Sequence, residues 1–319
     1  MLSEGSPGAR SVDSLCRSQI CAAIVTHNIG QAIHRCFDSI RDQVGHVVIV
    51  DNGSGEPTRR ELNRLAESHS VTVILNKANE GLARALNQAV HWARDNRYRW
   101  ILTLDHDSEA TPGMVDRLVQ AYTLLERQGT HNVGVLGANP YDRNTQVFTT
   151  GVPPRVAGGL PLEDTDVISS GSLFPSHVFE DAGPFNEALF VYYVDDDFCL
   201  RLRKAGYRVF FCPEAVLLHE EGRYEARKFL WRRVFYDCKT RQARYYLSRN
   251  MIYMLKNHHL SAEYIYWVVR RFCKDHVKIL IFDKNRFSML WFSLKGLTDG
   301  LRGRVGRLEP NPFKEPRRQ

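Results

Sequence analysis

Four short apolar runs rich in β-branched residues recur in the first third of the chain at intervals of about 25 residues. The runs are ICAAIV (20–25), HVVIV (46–50), VTVIL (71–75) and WILTL (100–104). Two of the intervening segments, IGQAIHRCFDSIRDQ and GLARALNQAVHWARDN, place their apolar residues at helical spacing. Strands that alternate with helices in this way predict βαβ units and an α/β fold with a mainly parallel sheet buried on both faces.

Polar residues directly follow each of these runs. They are Thr26-His27-Asn28, Asp51-Asn52-Gly53, Asn76 to Gly81, and Asp105-His106-Asp107. The carboxyl ends of parallel strands meet at one edge of a sheet, and ligands of open α/β sheets bind beyond that edge. We therefore expect a ligand site there. No GxGxxG follows the first run and no GxxxxGK[ST] occurs, so a dinucleotide fingerprint and a P-loop lack support.

The last of these strand ends carries two carboxylates on alternate residues, Asp105 and Asp107. Alternate side chains of an extended segment point to the same side, so the pair can share a divalent cation that also binds phosphate oxygens. The alternative is a solvated acidic turn. His219 follows the strand-like run AVLL, and it becomes a metal ligand only if that strand returns beside the pair.

A second acidic cluster, Asp195-Asp196-Asp197, opens the predicted helix DDDFCLRLRKAG. Carboxylates at a helix N-terminus accept free backbone N–H groups and oppose the helix dipole, so some of the three could serve only as caps. Adjacent carboxylates also raise one another's pKa, which suits a general base. The residues alone leave both interpretations open.

The regular alternation weakens after residue 140. GVPPRVAGGLP (151–161) is typical of a loop or hairpin, and DVISSGSLF, LFVYYV and YRVFF are predicted strands. Beyond residue 223 we predict helices in RYEARKFLWRRVFYDCKTRQARYYLSRNMIYMLKNHH and EYIYWVVRRFCKDHVKILIF. Residues 1–19 are polar and without period, which predicts a disordered tail.

Several features argue against other protein classes. No apolar run approaches the roughly 18 to 20 residues of a spanning helix, and the N-terminus lacks the apolar region of a secretory signal. The seven cysteines form no CxxC pair, so we expect reduced cytosolic thiols and not a zinc site or a disulfide framework.

The net charge of +7 is unevenly distributed. Residues 223–319 hold 23 Lys/Arg and 8 Asp/Glu, a net of +15, which leaves −8 on the remainder. Such a basic segment could bind nucleic acid, anionic lipid or an acidic substrate, or be a solvated surface. No nucleic-acid-binding module is visible, so we expect no nucleic acid partner. The aromatic and basic residues 264–272 could lie on a bilayer, pack onto the body or form a homodimer interface.

The runs CAAIVTHN, VIVDNGSG, NKANEGLARALNQA, LTLDHDS, ISSGSLF and VDDDFCLRLRKAGYRVFFCPEAVLLHEEG together resemble an inverting family 2 glycosyltransferase of the GT-A fold. The resemblance is greatest to bacterial rhamnosyltransferases that build cell-surface polysaccharides. It covers about residues 20 to 220, and RYYLSRNMIYMLKNHH resembles a further segment of those enzymes. The predicted organisation is a tail (1–19), a GT-A domain (20–222) and a basic, aromatic-rich helical region (223–319).

The resemblance implies transfer of L-rhamnose from dTDP-L-rhamnose to a glycan acceptor, which could be linked to polyprenyl diphosphate. It also implies a cytoplasmic enzyme, with peripheral contact at the inner face of the membrane. A galactofuranosyl- or other hexosyltransferase that uses a UDP- or GDP-sugar is the alternative, since it would share these motifs. A nucleotidyltransferase is less favoured, because no triphosphate-binding Gly/Arg/Lys loop lies near the first run.

The same resemblance implies roles for individual residues. Mn²⁺ or Mg²⁺ would bind at Asp105, Asp107 and His219. The nucleotide-sugar would contact residues at the strand ends and helix starts: Thr26, His27, Asn28, Asp51, Asn79, Gly81, Arg84, Asp105, Ser170 and Gly171. For Asp51 and Asn79 the alternative is a plain turn.

The catalytic base implied by the resemblance is Asp195, with Asp196 as a near competitor. Family members commonly show Glu-Asp where this chain has Val194-Asp195. The register along DFCLR favours Asp195.

Overall fold

A central sheet organises the part of the chain that the computed structural model describes, which is residues 16–154, 159–220, 222, 224–229 and 231–309. Within these residues the sheet has ten strands in the order β3-β2-β1-β4-β9-β6-β10-β5, with β7 beside β6 and β8 beside β10. The strands are β1 Ile20–Thr26, β2 His46–Asp51, β3 Val71–Leu75, β4 Trp100–Asp105, β5 Glu109–Ala110, β6 Val133–Asp142, β7 Val147–Phe148, β8 Leu162–Asp164, β9 Ser172–Pro175 and β10 Arg208–His219.

The first four strands, β3-β2-β1-β4, are parallel, as the apolar runs predicted. Their register places Thr26 beside Asp51 and Val25 beside Asp105. The polar strand ends therefore lie along one edge. Together with the helices below, the mainly parallel sheet confirms the predicted α/β architecture.

Helices cover both faces of the sheet, which explains why its strands are continuously apolar. The helices up to residue 204 are α1 Ile33–Ile40, α2 Glu56–Ser68, α3 Leu82–Asp95, α4 Met114–Arg127, α5 Val178–Asp181 and α6 Val194–Lys204. Short 3₁₀ turns occur at Arg17–Gln19, Gly30–Ala32 and Glu187–Leu189. In β1, Ile24 joins the core beneath α1 and α4, whereas Val25 joins the core beneath α3 and α6.

The second half of the sheet brings distant segments to the polar edge. β9 is antiparallel to both β4 and β6, while β10 runs parallel to β6. At its far end β10 pairs with β5, so that Leu218 lies opposite Glu109. This pairing places His219 next to the segment that follows β4.

Two predicted strands differ from the structure. In DVISSGSLF the strand begins only at Ser172, and the preceding residues form a loop. LFVYYV is not a strand, because Phe190, Tyr192 and Tyr193 have φ angles of 66°, 65° and 60°. Such left-handed angles are incompatible with an extended strand. The chain instead makes a tight loop that leads directly into α6.

The structure also corrects the helix predicted directly after residue 223 and part of the predicted disordered tail. Tyr224–Phe229 (β11) and Arg232–Asp237 (β12) form an antiparallel hairpin where a helix was predicted. Tyr236 packs there against Ile279 and Met289, and this burial favours the hairpin over the helix. Residues 1–15 of the predicted disordered tail lie outside the described part of the chain. The last residues of that tail, 16–19, are ordered by a 3₁₀ turn. Residues 155–158 of the predicted loop at 151–161 also lie outside the described part.

Three long helices follow the hairpin, as predicted for this part of the chain: α7 Arg241–Asn257, α8 Ala262–Phe282 and α9 Arg286–Leu301. α7 and α9 cross closely at Gly296, where a Cβ atom would lie 2.3 Å from the Tyr245 carbonyl oxygen. A side chain there would force the two helices apart. No helix within the described ranges is both long and apolar enough to span a membrane.

α7 also fixes the loop in front of α6. The buried Arg249 guanidinium donates to the Leu189 carbonyl (2.7 Å), and the Asn250 amide donates to the carbonyls of Val191 (2.7 Å) and Tyr192 (2.9 Å). These bonds add partners to the loop carbonyl groups, of which that of Leu189 also accepts the Val191 N–H within the loop at 2.8 Å. The helical region thus holds part of the sheet domain in place, and a domain boundary at residue 222 stays a prediction.

Candidate active site

The polar edge of the sheet holds a cluster of possible metal ligands. Asp105, Asp107 and His219 each offer one ligand atom, and these atoms all lie within 4.8 Å of one another. Asp105 ends β4, Asp107 lies in the turn after it, and His219 ends β10. The sequence predicted His219 as a metal ligand only if its strand returned beside the acidic pair, and β10 does return there.

A chain of hydroxyl groups orients this cluster. The His219 Nδ1 atom and the Ser108 hydroxyl are hydrogen-bonded at 2.8 Å, and Ser108 Oγ lies 2.7 Å from Ser170 Oγ. Ser170 Oγ in turn accepts the backbone N–H of Asp105 at 3.0 Å. Ser170 thus lies at the cluster, where its hydroxyl group supports the two strand ends, and its predicted contact with the donor sugar stays a prediction.

The electrostatics of the cluster fit a bound cation. Loss of hydration and the neighbouring Asp107 carboxylate together raise the pKa of Asp105 to about 6. The Oδ1 atom of Asp107 is buried without a hydrogen-bond partner. A dehydrated carboxylate and an unpartnered buried oxygen atom both destabilise the protein without a cation, and a bound divalent ion relieves both effects. Two carboxylates and an imidazole are a donor set that suits Mn²⁺, and the carboxylates also suit Mg²⁺.

Asp195 lies near this cluster at the start of α6. Its Oδ2 atom accepts the backbone N–H of Ser169 at 3.3 Å, which fixes the carboxylate against the loop before β9. The residue after Ser169 is Ser170, whose hydroxyl group accepts the Asp105 N–H, so the same loop contacts both Asp195 and the cluster. Loss of hydration also raises the pKa of Asp195. A carboxylate beside a possible metal site with a raised pKa is suited to accept a proton.

The next residue, Asp196, faces a different neighbourhood. Its Oδ1 atom accepts a hydrogen bond from the Tyr264 hydroxyl at 3.3 Å, and Tyr264 belongs to α8. Loss of hydration and the nearby carboxylates of Asp195 and Asp166 raise its pKa well above the ordinary value. Neither Asp166 nor Tyr264 was selected from the sequence.

Asp197 is structural. Its buried carboxylate accepts hydrogen bonds from Arg201 Nε (2.8 Å) and Asn186 Nδ2 (3.2 Å), and it pairs with His258 Nε2 at 2.9 Å. The last contact joins α6 to the end of α7. One member of the acidic triplet is therefore structural, but through side-chain partners and not through the helix capping that the sequence suggested.

Several of the predicted nucleotide contacts shape the loops at the strand ends. The Asn28 amide oxygen accepts the Gly55 N–H at 2.9 Å, and the buried Asp51 carboxylate accepts the Ser54 N–H at 3.1 Å. Asn79 Oδ1 accepts the Gly81 N–H at 2.9 Å. These bonds correspond to the turn interpretation, and nucleotide contact by the same residues stays a prediction.

Gly81 is required by a close approach of two segments. Its φ is +93°, and a Cβ atom would lie 2.6 Å from the Phe190 ring. The neighbouring N–H of Leu82 donates to the Phe190 carbonyl at 2.6 Å. Arg84, one turn further along α3, forms long ion pairs with Glu187 (3.7 Å) and Glu80 (3.8 Å), so its charge is partly compensated.

Two further polar atoms at the strand ends lack partners. Thr26 ends β1 and His27 follows it. The Thr26 Oγ1 and His27 Nδ1 atoms are both buried without a hydrogen-bond partner. Buried polar atoms of this kind are rare unless a ligand or water satisfies them. Gly171 lies nearby in the sheet, where its N–H donates to the Thr103 carbonyl at 2.7 Å with a φ of +79°.

The sequence contained a weak signal for one of the missed residues. Asp166 stands in DTDVISS, directly before a segment that was selected, but an acidic residue in a loop is common. Tyr264 belongs to the aromatic and basic run 264–272, but nothing in that run indicated its contact with Asp196, which depends on the position of α8 in the fold.

Relatives of this chain include glycosyltransferases. The chain is 25% identical over 303 residues to the dTDP-rhamnosyl transferase RfbF of Shigella flexneri, covering 91% of this chain and 97% of that protein. It is 24% identical over 243 residues to the N-acetylglucosaminyl-diphospho-decaprenol L-rhamnosyltransferase of Mycobacterium tuberculosis, covering 64% and 76% of the two chains.

A solved structure with a similar fold is the mannosyltransferase PcManGT of Pyrobaculum calidifontis, in complex with GDP-Man and Mn²⁺. Its TM-score is 0.50 at 16% identity, and the match covers 94% of this chain and 80% of that one. The family pattern described as Glycosyl transferase family 2 matches residues 21–153, and Glycosyl transferase family group 2 matches residues 100–298. The chain therefore belongs to family 2 of the glycosyltransferases, and it has their GT-A fold.

Proposed function

We propose that this enzyme transfers L-rhamnose from dTDP-L-rhamnose to a hydroxyl group of a cell-surface glycan, with inversion at the anomeric carbon. The observation that carries the proposal is the convergence of Asp105, Asp107 and His219 beside Asp195. Two of the relatives are rhamnosyltransferases, which supports the choice of sugar.

We assign a divalent cation to Asp105, Asp107 and His219, with Mn²⁺ favoured because an imidazole nitrogen belongs to the set. When bound, the cation supplies a Lewis acid that stabilises the negative charge of the diphosphate leaving group. The unpartnered Asp107 Oδ1 atom and the raised pKa of Asp105 support this assignment. The mannosyltransferase of similar fold, which was solved with GDP-Man and Mn²⁺, is consistent with it.

The chemical step needs a base, and we assign it to Asp195. The acceptor oxygen attacks the anomeric carbon from the face opposite the diphosphate while Asp195 takes the hydroxyl proton. The bond from the anomeric carbon to the diphosphate oxygen breaks, and its electron pair leaves with dTDP. The hydrogen bond from the Ser169 N–H holds the carboxylate in position, and the raised pKa makes it a stronger base than an exposed aspartate.

The nucleotide would lie along the ends of β1 to β4. We assign the base and ribose to Thr26, His27, Asn28 and Asp51, and the unpartnered Thr26 Oγ1 and His27 Nδ1 atoms support this placement. We assign further nucleotide contacts to Asn79, Gly81 and Arg84, and the donor sugar to the loop at Ser170 and Gly171.

A donor screen tests the proposal. Release of the nucleoside diphosphate would be measured with dTDP-L-rhamnose, UDP-galactofuranose, UDP-glucose and GDP-mannose, each with Mn²⁺. We expect turnover of dTDP-L-rhamnose. Turnover of another donor without turnover of dTDP-L-rhamnose would overturn the choice of sugar and leave the hexosyltransferase class intact.

We also propose that the enzyme works at the inner face of the cytoplasmic membrane on a lipid-linked acceptor. The helical region exposes large apolar side chains beside basic ones. On α8 and α9 these include Leu280, Ile281, Phe287, Trp291 and Leu294, which are each between 46% and 81% exposed. Lys274, Lys284 and Arg286 lie in the same stretch of sequence. An apolar surface with basic neighbours suits an anionic bilayer.

Vesicle co-sedimentation tests this second proposal. Each basic residue near an anionic surface contributes about 1 kcal/mol, so binding should require anionic lipid and weaken at high salt. Equal and negligible binding to anionic and neutral vesicles would contradict it. A homodimer in sedimentation velocity, lost on Trp291→Glu, would then assign the surface to a second copy of the chain.

A further inference from the structure

A cavity of about 410 Å³ lies beside Asp196, the middle residue of the acidic triplet. It lies between α6, the loop before β9 and the first turns of α8. The side chains that matter for its chemistry are Asp166, Asp196, Arg203, Glu263, Tyr264 and Trp267. This cavity is separate from the cluster of metal ligands, none of which lines it.

One wall of the cavity consists of hydrogen-bond acceptors. Asp196 accepts a hydrogen bond from the Tyr264 hydroxyl group and is also hydrogen-bonded to the Asp166 carboxyl group, which in turn accepts the Thr165 hydroxyl group at 3.2 Å. Within the part of the chain that is described, neither carboxylate forms an ion pair with a lysine, arginine or histidine. Each therefore retains acceptor capacity toward a ligand.

The other wall is aromatic. Trp267 follows Tyr264 by three residues on α8, so both rings lie on one face of the helix. The indole is 60% exposed, and the Arg270 guanidinium lies 5.1 Å from its centroid. The contact with Arg270 restrains a large ring that would otherwise be mobile, and the ring offers a flat apolar surface to the cavity.

An apolar ring surface opposite a pair of carboxylates matches the chemistry of a pyranose. The C–H face of a sugar packs on an aromatic ring, and its hydroxyl groups donate to carboxylate oxygens. We propose that this cavity holds the acceptor sugar, a neutral pyranose residue of the glycan, with Trp267 beneath the ring and Asp166 and Asp196 on its hydroxyl groups. This inference rests on the proposed function, since it takes Asp195 as the base.

The position of Asp195 supports an acceptor in this cavity and a donor at the strand ends. The Asp195 carboxylate accepts the N–H groups of Ser169 and of Asp196, and Asp196 itself lines the cavity. A sugar in the cavity can therefore present a hydroxyl group to Asp195 without entering the donor site.

The charge of the cavity narrows the class of acceptor. Asp166, Asp196 and Glu263 face one arginine, Arg203. A uronic acid or a phosphorylated sugar would add a negative charge to this surplus and would be disfavoured. The cavity thus selects neutral sugars over acidic ones.

Substitution of the indole gives the first test. Trp267→Ala should raise the KM for the acceptor about tenfold or more, while the dissociation constant for dTDP stays unchanged. Trp231→Ala is the matched control, because Trp231 is 80% exposed between β11 and β12 and does not line the cavity. An unchanged acceptor KM in Trp267→Ala, or an equal rise in Trp231→Ala, would overturn the proposal.

A binding measurement separates this inference from the proposed function. Saturation-transfer NMR would compare methyl α-L-rhamnopyranoside, methyl β-D-glucopyranoside and methyl β-D-glucuronopyranoside on the wild type, Trp267→Ala and Asp166→Asn. We expect a neutral glycoside to give a saturation-transfer signal with the wild type and none with Trp267→Ala. The signal of the glucuronide should be larger with Asp166→Asn than with the wild type.

The outcomes of the two measurements are distinguishable. Binding of a neutral glycoside that depends on Trp267, without turnover of dTDP-L-rhamnose, would support the cavity and contradict the donor assignment. Turnover of dTDP-L-rhamnose with glycoside signals that are identical in wild type and Trp267→Ala would overturn the cavity.

Discussion

The two acidic clusters of this enzyme have similar sequences and opposite geometries. Asp105 and Asp107 converge, because together with His219 their ligand atoms meet within 4.8 Å. The triplet of Asp195, Asp196 and Asp197 diverges, because Asp197 pairs with His258 in the interior, whereas Asp195 and Asp196 are in contact with each other but have different further partners, Ser169 and Tyr264. The first pair ends a strand, whereas the triplet opens a helix, in which successive side chains are rotated by about 100°.

The difference shows that adjacent carboxylates need not share a task. Asp195 is directed toward Ser169 and the metal cluster, Asp196 toward Tyr264 and the cavity, and Asp197 into the interior. In the proposed mechanism the helix therefore carries a base, an acceptor-binding residue and a structural residue at three consecutive positions. Substitutions at single positions should separate them experimentally.

The largest effect is expected at the convergent cluster. Asp107→Ala removes a ligand from a set of three, so transfer should fall by at least about 10³-fold, and EDTA should inactivate the wild type reversibly. Product formation and Mn²⁺ calorimetry would measure the two effects. Asp95→Ala is the control, because that carboxylate is 64% exposed on α3. Full activity after exhaustive metal removal would contradict a metal-dependent mechanism.

The next effect separates the first two members of the divergent triplet. Asp195→Asn removes the proton acceptor and should lower kcat by about 10²- to 10⁴-fold, while dTDP binding is preserved. Asp196→Asn should act mainly on the acceptor KM. Steady-state kinetics with both substrates varied would distinguish them. If Asp196→Asn were inactive and Asp195→Asn active, the assignment of the base would move by one residue.

The third effect concerns stability. Asp197→Asn leaves Arg201 and His258 without their buried anionic partner, so the free energy of unfolding should fall by roughly 3 kcal/mol. Urea denaturation would measure the loss. Asp196→Asn serves as the comparison, because Asp196 has no such ion pair in the described chain. Equal stability of the two variants would contradict the structural role of Asp197.

The smallest effect is on the pH dependence. Loss of hydration raises the pKa of Asp195, and the groups around it are Asp105, Asp166, Asp196 and the Tyr264 hydroxyl. The base must be ionised, so kcat should decline as the pH falls through this raised pKa, above the ordinary value of about 3.9. A kcat profile at saturating Mn²⁺ and donor would measure the midpoint. A profile that stays flat down to about pH 4 would show that Asp195 is not the titrating base.

The convergent cluster could be predicted because it follows from periodicity. The apolar runs predicted parallel strands, and parallel strands place Asp105, Asp107 and the end of β1 at one edge. His219 needed one further condition, the return of its strand, which the pairing of Leu218 with Glu109 satisfies.

The divergent triplet could be found in the sequence but not resolved, because its partners are distant along the chain. LFVYYV has the composition of a strand, yet Asn250 binds its carbonyl groups and it becomes a left-handed loop. Asp166 and Tyr264 likewise reach Asp196 through tertiary packing. Local propensity cannot report such contacts.

The hydrogen bonds from Arg249 and Asn250 to the loop before α6 constrain how this enzyme can diversify. A recombinant that exchanged the helical segment for that of another transferase would have to match the Leu189 and Tyr192 carbonyl groups, or Asp195, the proposed base, would shift. Substitutions on the outer surface of α8, around Trp267, carry no such requirement. New acceptor preferences are therefore more accessible by point mutation of one helix than by shuffling whole segments, and a mutant library for glycan engineering should begin there.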